Sequence, residues 1–153
     1  MSRVLATAEK FKSETGSGVL DESKSFGLKQ LKETIRAILD GAIALDEAEP
    51  DESLLRNYLN DTTWSGELSG TTLLTATAYR MAQLEPHEFG SRYVDWADEK
   101  RDAILERIDE DGLLSPVINP LNWGDRTPGT ESPEAQSFAI LMFAAYQDYN
   151  EGW

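Results

Sequence analysis

The hydrophobic and polar positions along the chain predict four helices of two alternating types. From Phe26 to Ile43, apolar residues recur every three or four positions with charged residues between them, which is typical of an amphipathic helix with one solvated face. From Thr71 to Leu84, nearly every residue is apolar or small, which predicts a helix buried on most sides and ended by Pro86. The segment His87 to Asp109 repeats the amphipathic pattern, and the segment Glu134 to Tyr149 repeats the apolar one.

A long loop precedes each of the two apolar helices. Residues 46–70 and 110–132 are rich in the Gly, Ser, Asn, Asp and Pro residues that favour turns. Pro133 suits the first turn of the last helix, and Ser132 is the expected cap. The order of amphipathic helix, loop and apolar helix therefore occurs twice, as an internal repeat. The repeats align Leu54-Leu55 with Leu113-Leu114, Trp64 with Trp123, and Glu67-Leu68-Ser69 with Glu131-Ser132.

This alternation predicts an all-α fold of antiparallel helical hairpins in two layers. The amphipathic helices are expected outside and the apolar helices inside, with the long loops at one end, where a ligand would bind. We expect residues 1–24 to form a poorly defined N-terminal segment and residues 25–153 to form the helical domain. The sequence contains no recognisable signal peptide and no apolar stretch long enough to span a membrane, so a cytoplasmic location is the default expectation.

Charge and composition narrow the partners that the chain can bind. The 28 acidic and 14 basic residues give a net charge of -14, which argues against a nucleic acid or an anionic membrane as partner. A solvated acidic surface explains this charge more simply than an acidic binding site does. The chain has no cysteine, and its single histidine, His87, is expected to have a surface role, so the sequence predicts no metal and no cofactor. The acidic stretch Asp109 to Gly112 lacks the ligand spacing of a calcium loop and is interpreted as a turn.

Two carboxylates and two indoles lie near the predicted starts of the apolar helices. The loops that begin the two apolar helices could place Glu67 and Glu131 on either side of a glycosidic bond, as glycoside hydrolysis requires. Carboxylates also suit the positive end of a helix dipole, and capping is the interpretation that we favour. Trp64 and Trp123 could stack on sugar rings or could plug the ends of the helical core, and the sequence leaves both roles open.

An adjacent charge pair, Asp125 and Arg126, lies in the second loop. Arg126 could bind a uronate carboxylate through two parallel hydrogen bonds. A local ion pair between Asp125 and Arg126 that pins the loop is the favoured interpretation.

Several of these segments, in this order, resemble a known family. They are similar to the carboxy-terminal part of the six-hairpin, (α/α)6-toroid glycosidases, most closely glycoside hydrolase family 105 (GH105), the unsaturated rhamnogalacturonyl hydrolases, and the related family 88 glucuronyl hydrolases. The resemblance covers roughly residues 26–149. The segments that carry it are Asn57-Tyr58-Leu59-Asn60-Asp61, Gly66-Glu67-Leu68-Ser69-Gly70-Thr71, Ala76-Thr77-Ala78-Tyr79-Arg80-Met81-Ala82, and Pro120-Leu121-Asn122-Trp123 through Glu131-Ser132-Pro133-Glu134-Ala135-Gln136.

The resemblance implies part of a toroid, namely about its last two hairpins and part of a third. The catalytic Asp and companion His of the family belong to earlier hairpins, and no segment of this chain matches the stretches that carry them. The resemblance therefore leaves the catalytic residue unknown and implies substrate-binding roles at the loop end. The residues to which it gives these roles are Trp64, Glu67, Trp123, Asp125, Arg126 and Glu131.

Two hypotheses of function follow. The first is a carbohydrate-active, glycoside hydrolase-like protein that acts on or binds unsaturated uronic-acid oligosaccharides from pectin. The alternative is a non-catalytic, truncated helical module that binds a sugar or a protein partner. An open piece of a toroid would leave the flanks of its apolar helices uncovered, and such patches favour self-association or cover by the missing N-terminal hairpins.

Overall fold

The structure, a computed structural model, describes residues 1, 2, 4, 6, 7, 22–50, 52–122 and 124–152. Four helices lie wholly within these residues, and residues 2, 4, 6 and 7 are helical as well. The four are α1 (Glu22–Glu47), α2 (Leu68–Leu84), α3 (Ser91–Leu105) and α4 (Pro133–Glu151). The same residues contain no strand and only three isolated β-bridges. The chain divides into two compact units, residues 1–41 and 42–153, and the last residues of α1 belong to the second unit.

The four predicted helices and the all-α class are confirmed, with shifted ends. Helix α1 extends beyond the predicted Phe26–Ile43 at both ends, and α2 begins at Leu68 because Glu67 provides its cap. Helix α3 is shorter than predicted because residues 86–89 form a turn that precedes it, closed by the bond from Phe89 N to Glu85 O. Most of the predicted segment 1–24 lies outside the described residues, and its boundary stays a prediction.

The core of the second unit forms where α2 packs against α3 and α4. Tyr79 of α2 is fully buried, and its hydroxyl donates a hydrogen bond of 2.7 Å to Oδ1 of Asp98 on α3. Arg101 of α3 donates to the same carboxylate oxygen at 2.7 Å, and its guanidinium lies 4.3 Å from the ring centroid of Tyr146 on α4. Burial, together with Asp98, raises the pKa of Tyr79, so the hydroxyl stays protonated. One polar cluster therefore joins all three helices.

Helices α2 and α4 lie side by side and run in the same direction. Near their carboxyl ends, Arg80 Nη1 of α2 lies 2.6 Å from Asp148 Oδ2 of α4, and Gln83 Nε2 donates to Asp148 O at 2.8 Å. Their amino ends consequently lie together at the opposite end, where both long loops deliver the chain. This arrangement agrees with the predicted inner layer of apolar helices and the predicted loop end.

Equivalent hydrogen bonds attach each loop to the inner helix that follows it. The buried amide of Leu55 donates to Thr71 Oγ1 at 3.0 Å, and the buried amide of Leu114 donates to Gln136 Oε1 at 3.0 Å. Each acceptor lies four positions after the cap of its helix, Glu67 for α2 and Ser132 for α4. The internal repeat is therefore present in the three-dimensional structure.

A further backbone bond connects the two repeats. The amide of Leu68, the first residue of α2, donates to Pro116 O in the second loop at 3.0 Å. Leu68 itself is fully buried. The second loop therefore contributes to the start of the first inner helix.

One flank of each inner helix is exposed to solvent. Ile140 of α4 is 70% exposed and Leu73 of α2 is 40% exposed. The apolar pattern of α4 predicted a helix buried on most sides, but the structure buries only four of its residues. They are Ala135, Ala139, Met142 and Ala145. In the part of the chain that the structure describes, no helix is both long and apolar enough to cross a membrane.

A buried ion pair fixes α3 against the end of α1. Lys100 Nζ lies 2.7 Å from Asp46 Oδ2, and the two side chains are only 2% and 8% exposed. Trp96 Nε1 donates to the same carboxylate oxygen at 2.8 Å, and Lys100 also donates to Ser53 O at 3.3 Å. Each buried charge is thus compensated by the other and by additional hydrogen bonds.

We expect Lys100→Met to lower the free energy of unfolding by about 3–5 kcal/mol, because it leaves the Asp46 carboxylate buried without its cation. The double variant Asp46→Asn/Lys100→Met removes both charges and keeps an acceptor for Trp96, so it should be more stable than Lys100→Met. Urea unfolding followed by circular dichroism measures these two variants and the single variant Asp46→Asn. A double variant as unstable as the sum of the single variants would contradict this account.

Candidate functional site

A cleft of about 340 Å³ lies at the loop end, beside the amino ends of α2 and α4. Residues of the first loop form one wall, residues 118 and 120 of the second loop form another, and the first turns of α2 and α4 form the rest. Its volume is near the lower end of the range of about 300–1,000 Å³ that is usual for small-molecule sites. The polar residues that line it are Arg56, Asn57, Glu67, Ser69 and Glu134.

Glu67 lines the cleft and caps α2 with its side chain. Its carboxylate oxygens accept hydrogen bonds from Ser69 N at 2.6 Å and from Gly70 N at 2.5 Å. A Cβ at position 70 would lie 2.7 Å from Glu67 Oε1, so a side chain there would displace the carboxylate from this cap. The capping interpretation of Glu67 is therefore confirmed.

Burial dominates the ionisation of Glu67, which is 3% exposed. The pKa of Glu67 is raised above its ordinary value of 4.5 by the loss of water around it, and more weakly by the charge of Glu134. The hydrogen bonds from Gly70 and Ser69 oppose this rise without cancelling it. The cleft therefore holds a carboxyl group whose proton is bound more tightly than that of an exposed glutamate.

The equivalent of Glu67 in the second repeat is Ser132. Its Oγ accepts from Ala135 N at 3.2 Å and caps α4, as predicted, while Glu131 is exposed one position earlier. The alignment of Glu67 with Glu131 is thus wrong by one residue. The second carboxylate at the cleft is Glu134, which the sequence analysis missed. Aligning the two repeats on their caps would have identified Glu134. It lies two positions after Ser132, as the cleft residue Ser69 lies two positions after Glu67.

Trp64 fills the first loop. It is 5% exposed, its ring centroid lies 5.1 Å from that of Tyr58, and the guanidinium of Arg126 lies 5.3 Å from it. An indole covered in this way has little free face for a sugar, which favours its role as a plug. Trp123, its predicted counterpart, lies outside the described residues.

Arg126 joins the two loops. Among the described residues, its ion-pair partner is Asp61 of the first loop, with Nη2 and Oδ2 3.8 Å apart. The neighbouring Asp125 instead accepts from Thr127 N at 3.0 Å, so the expected local pair between Asp125 and Arg126 was wrong. Hydrogen bonds from Thr127 lower the pKa of Asp125, and those from Thr63 lower the pKa of Asp61, so both carboxylates are ionised. The structure thus brings Trp64 and Arg126 together, with Asp61 beside them.

Arg56 is a cleft residue that the sequence analysis did not single out. Its side chain is only 12% exposed, and it is the one cation among the described residues that line the cleft. The sequence signal is its position directly after Leu54-Leu55, which are buried. No group of three or more His, Cys, Asp or Glu side chains with metal-binding geometry occurs in the described part of the chain.

Comparison with known proteins finds similarity in structure alone. No family model and no curated protein matches the sequence. A solved structure described as "a possible member of GH105 family" from Salmonella enterica subsp. enterica serovar Paratyphi A matches with a TM-score of 0.61 and 19% identity, over 75% of this chain and 32% of that chain. Another with the same description, from Klebsiella pneumoniae subsp. pneumoniae, matches with a TM-score of 0.64 and 19% identity, over 99% of this chain and 39% of that chain.

These matches confirm the resemblance at the level of the fold. The chain is all-α in its described residues, and its fold matches part of the two structures described as possible GH105 members. It spans only about a third of the length of the structures that it matches.

Removing the carboxylate cap should destabilise the protein. Glu67→Ala should lower the free energy of unfolding by about 0.5–2 kcal/mol, because Ser69 N and Gly70 N lose their acceptor. Glu131→Ala is the matched control, and it should change stability by less than about 0.5 kcal/mol because Glu131 is exposed and outside the cap. Chemical denaturation measures both. Equal losses in the two variants would restore the rejected alignment of Glu67 with Glu131.

The raised pKa of Glu67 predicts a pH dependence of stability. Below about pH 4.5, Glu67 is protonated in both the folded and the unfolded chain. As pH rises above 4.5, the unfolded chain loses this proton first, so the folded state loses stability relative to it until Glu67 also ionises in the fold. The stability of the wild type minus that of Glu67→Gln should therefore fall as pH rises above 4.5 and then level off. A difference that grows with pH would mean that the two amides stabilise the ionised form more than burial penalises it.

Proposed function

We propose that this chain is a carbohydrate-binding, glycoside hydrolase-like module, and that its loop-end cleft binds the unsaturated uronic end of an oligosaccharide derived from pectin. The similarity of the fold to two structures described as possible GH105 members supports the sugar class. The observation that carries the proposal is the cleft itself. It lies at the shared amino ends of two inner helices and combines apolar walls with a few convergent polar groups, as small-molecule sites do.

The polar groups of the cleft suit a sugar with hydroxyl groups. Glu67 and Glu134 supply carboxylate oxygens that accept hydrogen bonds from hydroxyls, while Asn57 can donate and accept. Leu55, Leu59, Leu74 and Phe138 supply apolar surface for the carbon face of a ring. The cleft therefore offers both kinds of contact that a pyranose needs.

We assign Glu67 to binding and leave the catalytic residue open. Both of its oxygens already accept backbone hydrogen bonds that start α2, and moving a proton through them would disturb that cap. A glycosidase of the usual type needs two carboxyl groups free to act on opposite sides of the bond. The cap therefore favours a role in holding the sugar over a role in cleaving it.

Longer ligands would extend from the cleft along the two loops. Arg126 is about half exposed, and its guanidinium lies 5.3 Å from the ring centroid of Trp64, so we assign it to a second sugar unit. Beside the inner contact of Glu67, we propose outer substrate contacts for Asp125, Arg126 and Glu131, while Trp64 contributes by packing against Arg126. The proposal includes Trp123 on the sequence alone, because this residue lies outside the described residues.

The alternative function is a non-catalytic helical module that binds a protein partner or another copy. The exposure of Ile140 and Leu73 favours it, because large apolar side chains on an inner helix are normally covered. This alternative predicts a folded chain with no affinity for the sugar.

The test is titration of the purified chain with an unsaturated rhamnogalacturonan disaccharide, followed by calorimetry, with turnover followed as loss of the ultraviolet absorbance of the double bond. We expect saturable binding that Asn57→Ala weakens by about two- to tenfold, the effect of one lost hydrogen bond. Asn150→Ala is the matched control, since Asn150 is exposed at the far end of α4.

The two readouts separate the hypotheses. Binding without loss of absorbance supports a binding module, and binding with turnover that Asn57→Ala reduces adds catalysis to it. A folded chain that does not bind the disaccharide contradicts the proposal and leaves the protein-binding alternative.

A further inference from the structure

Arg56 is held at the cleft by its backbone. It forms an antiparallel β-bridge with Gly66, and Glu67 N donates to Leu55 O at 2.9 Å next to that bridge. A Cβ at position 66 would lie 2.7 Å from Leu54 Cβ, so the close pairing of these two segments needs glycine. The position of Arg56 relative to the start of α2 is therefore fixed by the fold rather than by its own side-chain contacts.

The guanidinium of Arg56 is buried and poorly satisfied. Its side chain is 12% exposed, and its ion-pair contact within the described residues is Nη2 to Glu49 Oε2 at 3.4 Å, a long distance for such a pair. Its Nε is buried, and it has no hydrogen-bond partner among the described residues. An arginine carries five N–H donors, and a buried donor without an acceptor costs free energy. A ligand that supplies acceptor oxygens could improve on the long Nη2 contact with Glu49, whereas Nε has no exposed surface through which a ligand could reach it.

The remaining polar groups of the cleft decide which oxygens fit at Arg56. Glu67 and Glu134 are carboxylates on the helix side of the cleft, so they repel an anionic group and attract hydroxyl donors. Among the described residues, Arg56 is the one cation that lines the cleft, and its planar fork matches a carboxylate. A sugar acid would therefore lie with its carboxylate toward Arg56 and its hydroxyls toward the two glutamates.

Arg126, the cation that the sequence suggested for this task, is placed differently. It is 53% exposed, outside the lining of the cleft, and paired with Asp61 across the loops. An exposed and already paired guanidinium gives little discrimination between an acid and a neutral sugar.

We propose that Arg56 is the specificity-determining residue of the cleft, binding the carboxylate of a uronic acid and so selecting it over the corresponding neutral sugar. This inference rests on the proposed sugar-binding function and adds the residue and the chemical group that it recognises. Arg56 is a binding residue in this account and takes no part in bond cleavage.

The experiment compares two ligands that differ in one group: the unsaturated uronic-acid disaccharide and its carboxyl-reduced analogue, in which a primary alcohol replaces the carboxylate. Calorimetric titration of the wild type should show tighter binding of the acid by about tenfold or more, as expected for a buried charge-assisted pair. Arg56→Gln should abolish this preference while changing affinity for the reduced analogue by less than about threefold. Arg56→Lys should restore only part of it, because an ammonium lacks the planar fork.

Three further variants control for charge, for the competing arginine and for folding. Arg92→Gln removes the same charge from an exposed pair with Glu47 and should leave the preference unchanged. Arg126→Gln should weaken the two ligands alike. Glu49→Gln removes the carboxylate that competes for Arg56 and should tighten binding of the acid alone, so it tests the inference even if Arg56→Gln does not fold.

The outcomes are distinguishable. Loss of the preference in Arg56→Gln, or selective tightening in Glu49→Gln, supports the inference. A wild type that binds both ligands equally, or an Arg56→Gln that folds and keeps the preference, overturns it while sugar binding stands. If Arg56→Gln does not fold, an unchanged preference in Glu49→Gln overturns it. A folded wild type that binds neither ligand overturns the proposed function as well.

Discussion

The structure of the loop end depends on two hydrogen bonds from buried loop amides to side chains at the start of the inner helices. A loop that leaves the surface must still find an acceptor for every buried N–H group. The Leu55 amide meets this need with Thr71 and the Leu114 amide with Gln136. Since both acceptors lie on rigid helices, the irregular segments before them acquire fixed positions. The walls of the cleft follow from that constraint.

Much of the fold could be predicted from the sequence because its signals are local. The periodicity of apolar residues within each segment predicts the four helices, and Ser132 directly before Pro133 predicts the cap of α4. The site was harder because it depends on residues far apart in the chain. The segment from Leu114 to the cap Ser132 is longer than the segment from Leu55 to the cap Glu67. The sequence pattern therefore pairs Glu67 with Glu131, one residue before the true cap. No local pattern shows that Arg126 pairs with Asp61, or that Arg56 is buried at the cleft.

Glu67 illustrates how one side chain can serve structure and recognition together. Its carboxylate starts α2 through two backbone amides, and its burial places it at the wall of the cleft. Because the helix fixes its geometry, it can present acceptor oxygens to a ligand without reorganisation on binding. Because both oxygens accept these backbone hydrogen bonds, Glu67 is less free to exchange a proton during a reaction.

The bond from Leu68 N to Pro116 O makes the two repeats interdependent. In many repeat proteins, stability is close to the sum of what each unit contributes by itself and what each interface between neighbours adds. Here the first inner helix obtains the acceptor for its leading amide from the loop of the following repeat. A segment cut between α3 and that loop would keep every residue of the first repeat yet lose an acceptor for a buried donor. The sequence thus contains two copies of one pattern, but the copies are not interchangeable modules, because the first inner helix needs an acceptor that the second copy supplies.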